Sequence, residues 1–374
     1  MTSPSTTSRH LRAERMRASP RFDGRVFRNA HVASVGLKPG TVLPTMKEYI
    51  CGGERRVPGA PLPLHDPRAA WRTAAETGLR VTWLGHSTLL FEIDGARILV
   101  DPVWARRASP VPFAGPKRFH APPVTISALP HLDAVLISHD HYDHLDRAAI
   151  RALDRRRVRF ITSLGVGAHL ESWGVSPERI TEIDWWEQVV LEPSGVVITA
   201  APAQHFSGRT LLDRNATAWS SFHLQGPAHS VFHGADTGLT REYEQVRERF
   251  GRFDLVLLEI GAHHPAWGDI HLGPEHALDA RLMLGSGTVL PIHWGTFNLA
   301  MHAWDQPVET LATLAPRQGV SLLTPMLGEP VEPSRVDGLT PWWRSVVTAE
   351  RAAGEADAVP TTSDDESAVS WPVD

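Results

Sequence analysis

Four side chains able to hold a divalent metal fall close together in this chain: His139, His141, Asp143 and His144, within the run SHDHYDHLD at residues 138–146. Histidine nitrogens and carboxylate oxygens are the donors that zinc and related ions take. The chain has 20 histidines; at that frequency the pattern arises by accident in roughly 0.003 of such chains, so it reads as a site and not as a polar surface loop. Two ions fit the spacing better than one. His139 and His141, two apart in an extended turn, reach one ion, while Asp143 and His144 on the following bend face a neighbouring position. A metal pair ionises water near neutral pH and spreads charge over a developing oxyanion, which is hydrolytic chemistry needing no Ser or Cys nucleophile.

The cluster directly follows the apolar run Leu132 to Ile137, which reads as a buried strand with the ligands at its carboxyl end. Three further candidates each end an apolar run: His205 in ITAAPAQH, Asp236 in SVFHGAD and His293 in TVLPIH. If these strand ends converge on one edge, they add two nitrogens and a carboxylate able to bridge. Asp101, at the end of RILVD, is placed to accept a hydrogen bond from the free nitrogen of a ligand histidine.

The elements around these residues read as layered α/β. Residues 1–78, rich in Pro, Gly and Arg, form an extended arm packed on the core, with one short helix near Arg68 to Glu76. From Arg80, VTWLGHSTLLFEI and RILVD read as two strands around a hairpin turn at Asp94-Gly95, followed by a Pro-rich loop from Pro102 to Pro123. Helices are expected at Asp146–Leu153, Leu239–Phe250 and Pro274–Leu284. Strands are expected at Arg159–Thr162, Val189–Ala200 (a pair), Leu255–Ile260 and Val289–Ile292. WSSFHLQGPAHSVFHGAD, ending at Asp236 much as the first unit ends at Asp101, hints at a duplicated core. The catalytic domain spans 79–345, and 346–374 is a C-terminal extension whose acidic tail, from Gly354, reads as disordered.

Composition narrows the classes. The formal net charge of −5 gives no general case for a nucleic-acid partner. The single cysteine, Cys51, leaves nitrogen and oxygen as the metal donors and fits a reducing cytoplasm. No apolar run approaches a membrane span, and no signal-peptide stretch is seen. Seven arginines in residues 1–28 imitate a targeting segment, but 34 of the 37 basic residues of the chain are Arg, so the bias is general.

WLGHSTLLFEIDG, ILVDPVW, PFAGPKRF, SHDHYDH, PAQHFSGR, GADTG and IHWGTF together resemble the metallo-β-lactamase fold superfamily. The closest likeness is to its branch of N-acylphosphatidylethanolamine-hydrolysing phospholipases D. The resemblance implies an α/β fold, the four-layer αββα sandwich, with two zinc ions or similar divalent metals. His139, His141 and His205 would hold one ion, Asp143, His144 and His293 the other, and Asp236 would bridge. It implies catalytic roles for Asp143, Asp236 and His271, the last matching a family histidine near the substrate phosphate, although Ile270 stands where some relatives carry a polar side chain. His86 in LGHST resembles a second-shell position, as does Asp101. A homodimer is also implied.

Two divalent ions, two aspartates and a bridging hydroxide leave about +1 at such a site, which suits an anionic phosphodiester. The expected reaction is hydrolysis of N-acylphosphatidylethanolamine-like lipids to N-acylethanolamine and phosphatidic acid by that hydroxide. A soluble lactone or phosphate-ester hydrolase is the alternative. Trp104, Phe113 and Phe119, interleaved with Arg106, Arg107, Lys117 and Arg118, are expected at the substrate entrance, because apolar and cationic side chains together suit an anionic lipid surface. The partner is then a small-molecule or phospholipid substrate, and the protein is cytoplasmic with peripheral contact at the inner membrane face.

Overall fold

Alternation along the strand Thr88–Ile93 turns Leu89, Phe91 and Ile93 one way and Leu90 the other, and both directions are buried. The first three join a core lying between two sheets; Leu90 joins a second core beneath an outer helical layer. Residues 6–210, 212–336 and 338–358 are described by the computed structural model.

In chain order the elements are α1 (Thr6–Ala18), α2 (Val42–Cys51), β1 (Leu79–Gly85), β2 (Thr88–Ile93), β3 (Ala96–Val100), β4 (Ala134–Ile137), α3 (Arg147–Asp154), β5 (Arg159–Ser163), α4 (Gly167–Ser172), β6 (Ile180–Ile183) and β7 (Gln188–Leu191). There follow β8 (Val196–Ala201), β9 (Ser221–Gln225), β10 (Ser230–His233), α5 (Glu242–Phe250), β11 (Leu255–Glu259), α6 (Gly273–Leu284), β12 (Thr288–Ile292), α7 (Gln306–Leu314), β13 (Pro330–Val331) and α8 (Trp343–Ala358). One sheet has the order β13-β1-β2-β3-β4-β5-β6 and the other β12-β11-β10-β9-β8-β7. Ile150 and Leu153 of α3 and Leu170 of α4 cover the outer face of the first sheet. Tyr243 of α5, Leu278 of α6 and Leu311 of α7 join the core built on the second. The result is the four-layer αββα sandwich. Each sheet contains an antiparallel hairpin followed by a parallel neighbour, β2-β3-β4 in one and β9-β10-β11 in the other, in keeping with a duplicated core.

The structure departs from the sequence reading in several places. Residues 80–93 form two strands, not one, because the backbone reverses at His86, whose φ is 55°. Arg68–Glu76 holds only a short 3-10 turn at Ala70–Arg72. The N-terminal arm is less extended than expected, since it contains α1 and α2. Its arginines include buried structural groups: Arg12 pairs with Glu171 at 2.5 Å and Glu182 at 2.6 Å, and Arg21 pairs with Asp184 at 2.6 Å. Helix α8 crosses the boundary drawn at 345, with Trp343 and Val346 in the central core. Beyond Ala358 the acidic tail lies outside the described residues.

Candidate metal centre

Strand direction decides where the polar residues meet. β3 and β4 run parallel, as do β10, β11 and β12, and β8 shares the direction of β10 through the antiparallel β9 between them. The carboxyl ends of β3, β4, β8, β10, β11 and β12 therefore lead into Asp101, the 139–144 loop, His205, Asp236, Glu259 and His293. Left-handed backbone at Asp101 (φ 42°), Ala235 (φ 53°) and His293 (φ 65°) turns these strand ends sharply. Non-glycine residues adopt such angles at a cost that the surrounding structure must offset, and they gather at functional sites. Gly261 is needed next to His293, because a Cβ there would lie 2.1 Å from the His293 carbonyl oxygen.

The seven candidate ligands come together. His139 Nε2 lies 2.9 Å from His141 Nδ1, which lies 3.3 Å from His205 Nε2. His293 Nε2 lies 3.3 Å from Asp143 Oδ2, and His144 Nε2 lies 3.7 Å from the same oxygen. Asp236 stands between the groups: Oδ1 is 3.1 Å from His144 Nε2, while Oδ2 is 3.1 Å from His293 Nε2, 3.8 Å from His205 Nε2 and 4.0 Å from His139 Nε2. Donors about 2.0–2.1 Å from a tetrahedral ion are separated by roughly 3.3 Å, so these spacings suit coordination. His144 Nε2, His293 Nε2 and Asp236 Oδ1 are buried without a well-aligned hydrogen bond, which fits a cation as their partner.

Charge points the same way. Burial pushes the imidazoles of His139, His205 and His141 down, so they present neutral nitrogens. Burial also pushes His293 and His144 down, but the Asp236 and Asp143 carboxylates outweigh it, lifting His293 to about 10 and His144 well above its usual value. Protons on those two imidazoles thus supply the positive charge that two buried carboxylates require, and a divalent ion would replace them.

Around the ligands, Asp101 accepts from His144 Nδ1 at 2.8 Å, the Ser138 hydroxyl at 2.7 Å and the Ser138 amide at 2.8 Å. His86 Nε2 lies 2.9 Å from Asp143 Oδ2, and its ring packs 3.9 Å from that of His293. The His86 amide donates to Thr296 Oγ1 at 2.7 Å, giving HWGTF a structural part. His271 Nδ1 lies 2.5 Å from Glu259 Oε2. Glu259 is wholly buried and pushed up by burial, and its other oxygen accepts from the Thr237 amide at 2.7 Å. Sequence reading missed Glu259; its signal was an acid closing the apolar run LVLLE. It also missed Gln204, whose side chain donates to the Asp269 carbonyl at 2.6 Å and whose own carbonyl accepts from the Gly238 amide at 2.9 Å, tying three loops of the site.

The loop residues expected at the entrance take varied positions. Trp104 joins the outer core and donates to the Val124 carbonyl at 2.7 Å. Arg118 is buried, donating to the Val103 carbonyl at 2.6 Å with its guanidinium 4.8 Å from the Phe297 ring, and Phe119 packs against the central core. Arg106, Phe113 and Lys117 are exposed, and Arg107 donates to the Gly115 carbonyl at 2.5 Å. None of the seven lines the large cavity that opens at His271; the arm, residues 263–276 and residues 301–306 do. Trp104, Arg118 and Phe119 are thus engaged in packing, whereas Arg106, Phe113 and Lys117 face outward.

Residues 96–294 match the family model of the β-lactamase superfamily domain. A Mycobacterium tuberculosis protein is 49% identical over 291 residues, 77% of each chain. An N-acyl-phosphatidylethanolamine-hydrolyzing phospholipase D of Caenorhabditis elegans is 33% identical over 309 residues, 78% of this chain and 86% of that one. Among solved structures, a metallo hydrolase of Ignicoccus hospitalis superposes with a TM-score of 0.53 at 23% identity, covering 68% of this chain and 97% of that one. With its αββα layers, its clustered histidines and aspartates and these relatives, the chain belongs to the metallo-β-lactamase superfamily and is a metal-dependent hydrolase.

Proposed function

We propose that the protein is a phospholipase D-type phosphodiesterase that cleaves N-acylphosphatidylethanolamine-like lipids to N-acylethanolamine and phosphatidic acid. The observation that carries this reading is the cavity at His271, of about 1320 Å³, whose wall includes Leu239, Pro265, Trp267, Leu272 and Met301. Its apolar breadth suits acyl chains better than a small polar lactone. Thr41, which precedes α2, and Pro44, Thr45 and Glu48 of α2 form another part of the wall, while Val42, Leu43, Met46, Tyr49 and Ile50 of the same helix are exposed. The wall also carries polar groups, among them Lys38, Glu54, His263 and Glu275; an apolar helix face beside a cavity of this mixed character suits an enzyme that takes an amphipathic substrate from a lipid surface. The likeness to the Caenorhabditis elegans phospholipase supports the same reading.

In this reading His139, His141 and His205 would hold one zinc or similar divalent ion and Asp143, His144 and His293 a second, with Asp236 available to both. When bound, such a pair ionises water near neutral pH and withdraws charge from a phosphoryl oxygen. Asp101 holds the His144 ring through Nδ1, so that Nε2 faces the site. His271, held by Glu259 through Nδ1, keeps Nε2 for a phosphate or leaving oxygen in the cavity.

The test is a substrate panel on zinc-loaded protein: N-acylphosphatidylethanolamine in vesicles, a soluble phosphodiester, lactones and β-lactams. Release of N-acylethanolamine and phosphatidic acid as the fastest reaction is expected. A lactone turned over faster, with no lipid product, would overturn the reading in favour of a soluble hydrolase.

A further inference from the structure

A second cavity, of about 440 Å³, opens against the metal-ligand loop at Tyr142 and Leu145 and shares no lining residue with the cavity at His271. Four arginines line it: Arg107 from the loop after β3, Arg147 and Arg151 from α3, and Arg209 from the loop after His205. The one acid in the lining, Asp146, is engaged by backbone, its Oδ1 accepting from the Ala148 amide at 2.8 Å and its Oδ2 from the Trp104 amide at 3.1 Å. Among the described residues none of the four arginines is ion-paired; Arg107 and Arg209 donate to carbonyl oxygens.

This arrangement has an electrostatic cost. Arg147 and Arg151 sit one helical turn apart on the same face of α3, where like charges repel. Arg209 is partly buried, and burial pushes its guanidinium down. Its position is nevertheless held: Nη1 donates to the carbonyls of Asp140 at 2.6 Å and Leu145 at 2.9 Å, and the guanidinium carbon lies 3.9 Å from the Tyr142 ring and 5.3 Å from that of Trp173. Nε and Nη2 remain as donors. Asp140 and Asp146 offset part of the charge on Arg209 without forming an ion pair; the positive charge left around the cavity is relieved by an anion with several acceptor oxygens, and the guanidinium fork geometry matches phosphate.

We propose that this cavity is a binding site for a phosphate dianion, either inorganic phosphate or the phosphate monoester headgroup of a lipid. A charge excess of this size favours a dianion over a carboxylate, and the volume leaves room beyond the phosphate for an organic substituent. The site also touches the metal loop. Tyr142, between His141 and Asp143, donates its hydroxyl to the Arg209 carbonyl at 3.1 Å. The site does not depend on which ester the metal centre cleaves.

The test is calorimetric titration of the metal-loaded protein with inorganic phosphate, comparing wild type with Arg147→Gln/Arg151→Gln, each also in an Asp236→Asn background that disables the metal centre. Both arginines are exposed, so the variant is expected to fold, and Arg107→Gln provides an independent second variant. The expected result is binding weakened about tenfold or more by the arginine changes in both backgrounds. Phosphate binding that is lost with Asp236→Asn alone and indifferent to every arginine change would place the anion on the metals and overturn the proposal. Sedimentation with phosphatidylcholine vesicles carrying phosphatidic acid separates the sources. Capture lost in the double variant and displaced by free phosphate supports the lipid headgroup; capture unchanged while phosphate titration weakens supports the soluble anion. Equal loss on vesicles carrying phosphatidylglycerol at the same charge, with phosphate titration unchanged, would reduce the cluster to general surface attraction and overturn the site.

Discussion

Asn29 holds the backbone of His205 from both sides: its Nδ2 donates to the His205 carbonyl at 2.9 Å, and its Oδ1 accepts from the His205 amide at 3.0 Å. The same Oδ1 accepts from Trp219 Nε1 at 3.1 Å. A residue of the N-terminal arm thereby fixes a candidate ligand far away in sequence. Asn29→Ala removes these bonds and is expected to cost about 1–3 kcal/mol of stability. It should also lower occupancy of one metal position more than the other. Thermal unfolding with elemental analysis checks both, and full occupancy in the variant would detach the arm from the site.

Asp236 reaches nitrogens of both histidine groups, so a neutral amide in its place should serve two cations poorly. Asp236→Asn is expected to lower hydrolysis by more than tenfold, a loss above about 1.4 kcal/mol of barrier. Single-turnover rates on zinc-loaded protein decide it. Retention of more than about a tenth of the wild-type rate would mean that Asp236 does not bridge.

Asp101 acts through His144 and touches no candidate substrate space, being wholly buried. Asp101→Asn keeps the shape but accepts less strongly, so metal affinity should fall roughly 10- to 100-fold. Competition with a chelator measures this. Unchanged affinity would leave Asp101 a turn residue.

Metal uptake should release protons. His293, raised from 6.5 to about 10 in the metal-free protein, stabilises that form fully below pH 6.5, and this contribution is lost as pH rises through about 10. An ion needs the deprotonated nitrogen, so metal affinity should rise with pH across the same window. Calorimetry of zinc binding in two buffers of different ionisation heat gives the proton count. No release near neutral pH would show that His293 is not displaced from its protonated state by the metal.

The exposed face of α2 predicts a substrate-dependent effect. Leu43→Asp with Ile50→Asp should impair action on vesicle lipid while a short soluble phosphodiester is cleaved normally, since neither side chain lines the cavity at His271. Equal loss on both substrates would make α2 a folding element instead.

What the sequence determined by itself was local. SHDHYDH, and the habit of His205, Asp236 and His293 of closing apolar runs, were legible because strand periodicity and metal-donor chemistry are both short-range properties. The strands from Ala134 to Ile137, Leu255 to Glu259 and Thr288 to Ile292 were legible because they are buried on both faces and read as unbroken apolar runs. Weakly patterned elements escaped: β6 is the mixed run ITEI, and α2 buries no side chain, so neither carries the contrast that marks an inward face. Other features existed only after folding. Glu259 meets His271 because the loop after β11 folds back over its strand end, Asn29 meets His205 because the N-terminal arm docks at the site, and Arg209 joins Arg107 beside α3 because strands of both sheets deliver their loops to one edge. Such pairs share no spacing in the chain, and only the path of the folded backbone, with its loop returns, its docked arm and its two packed sheets, brings them into contact.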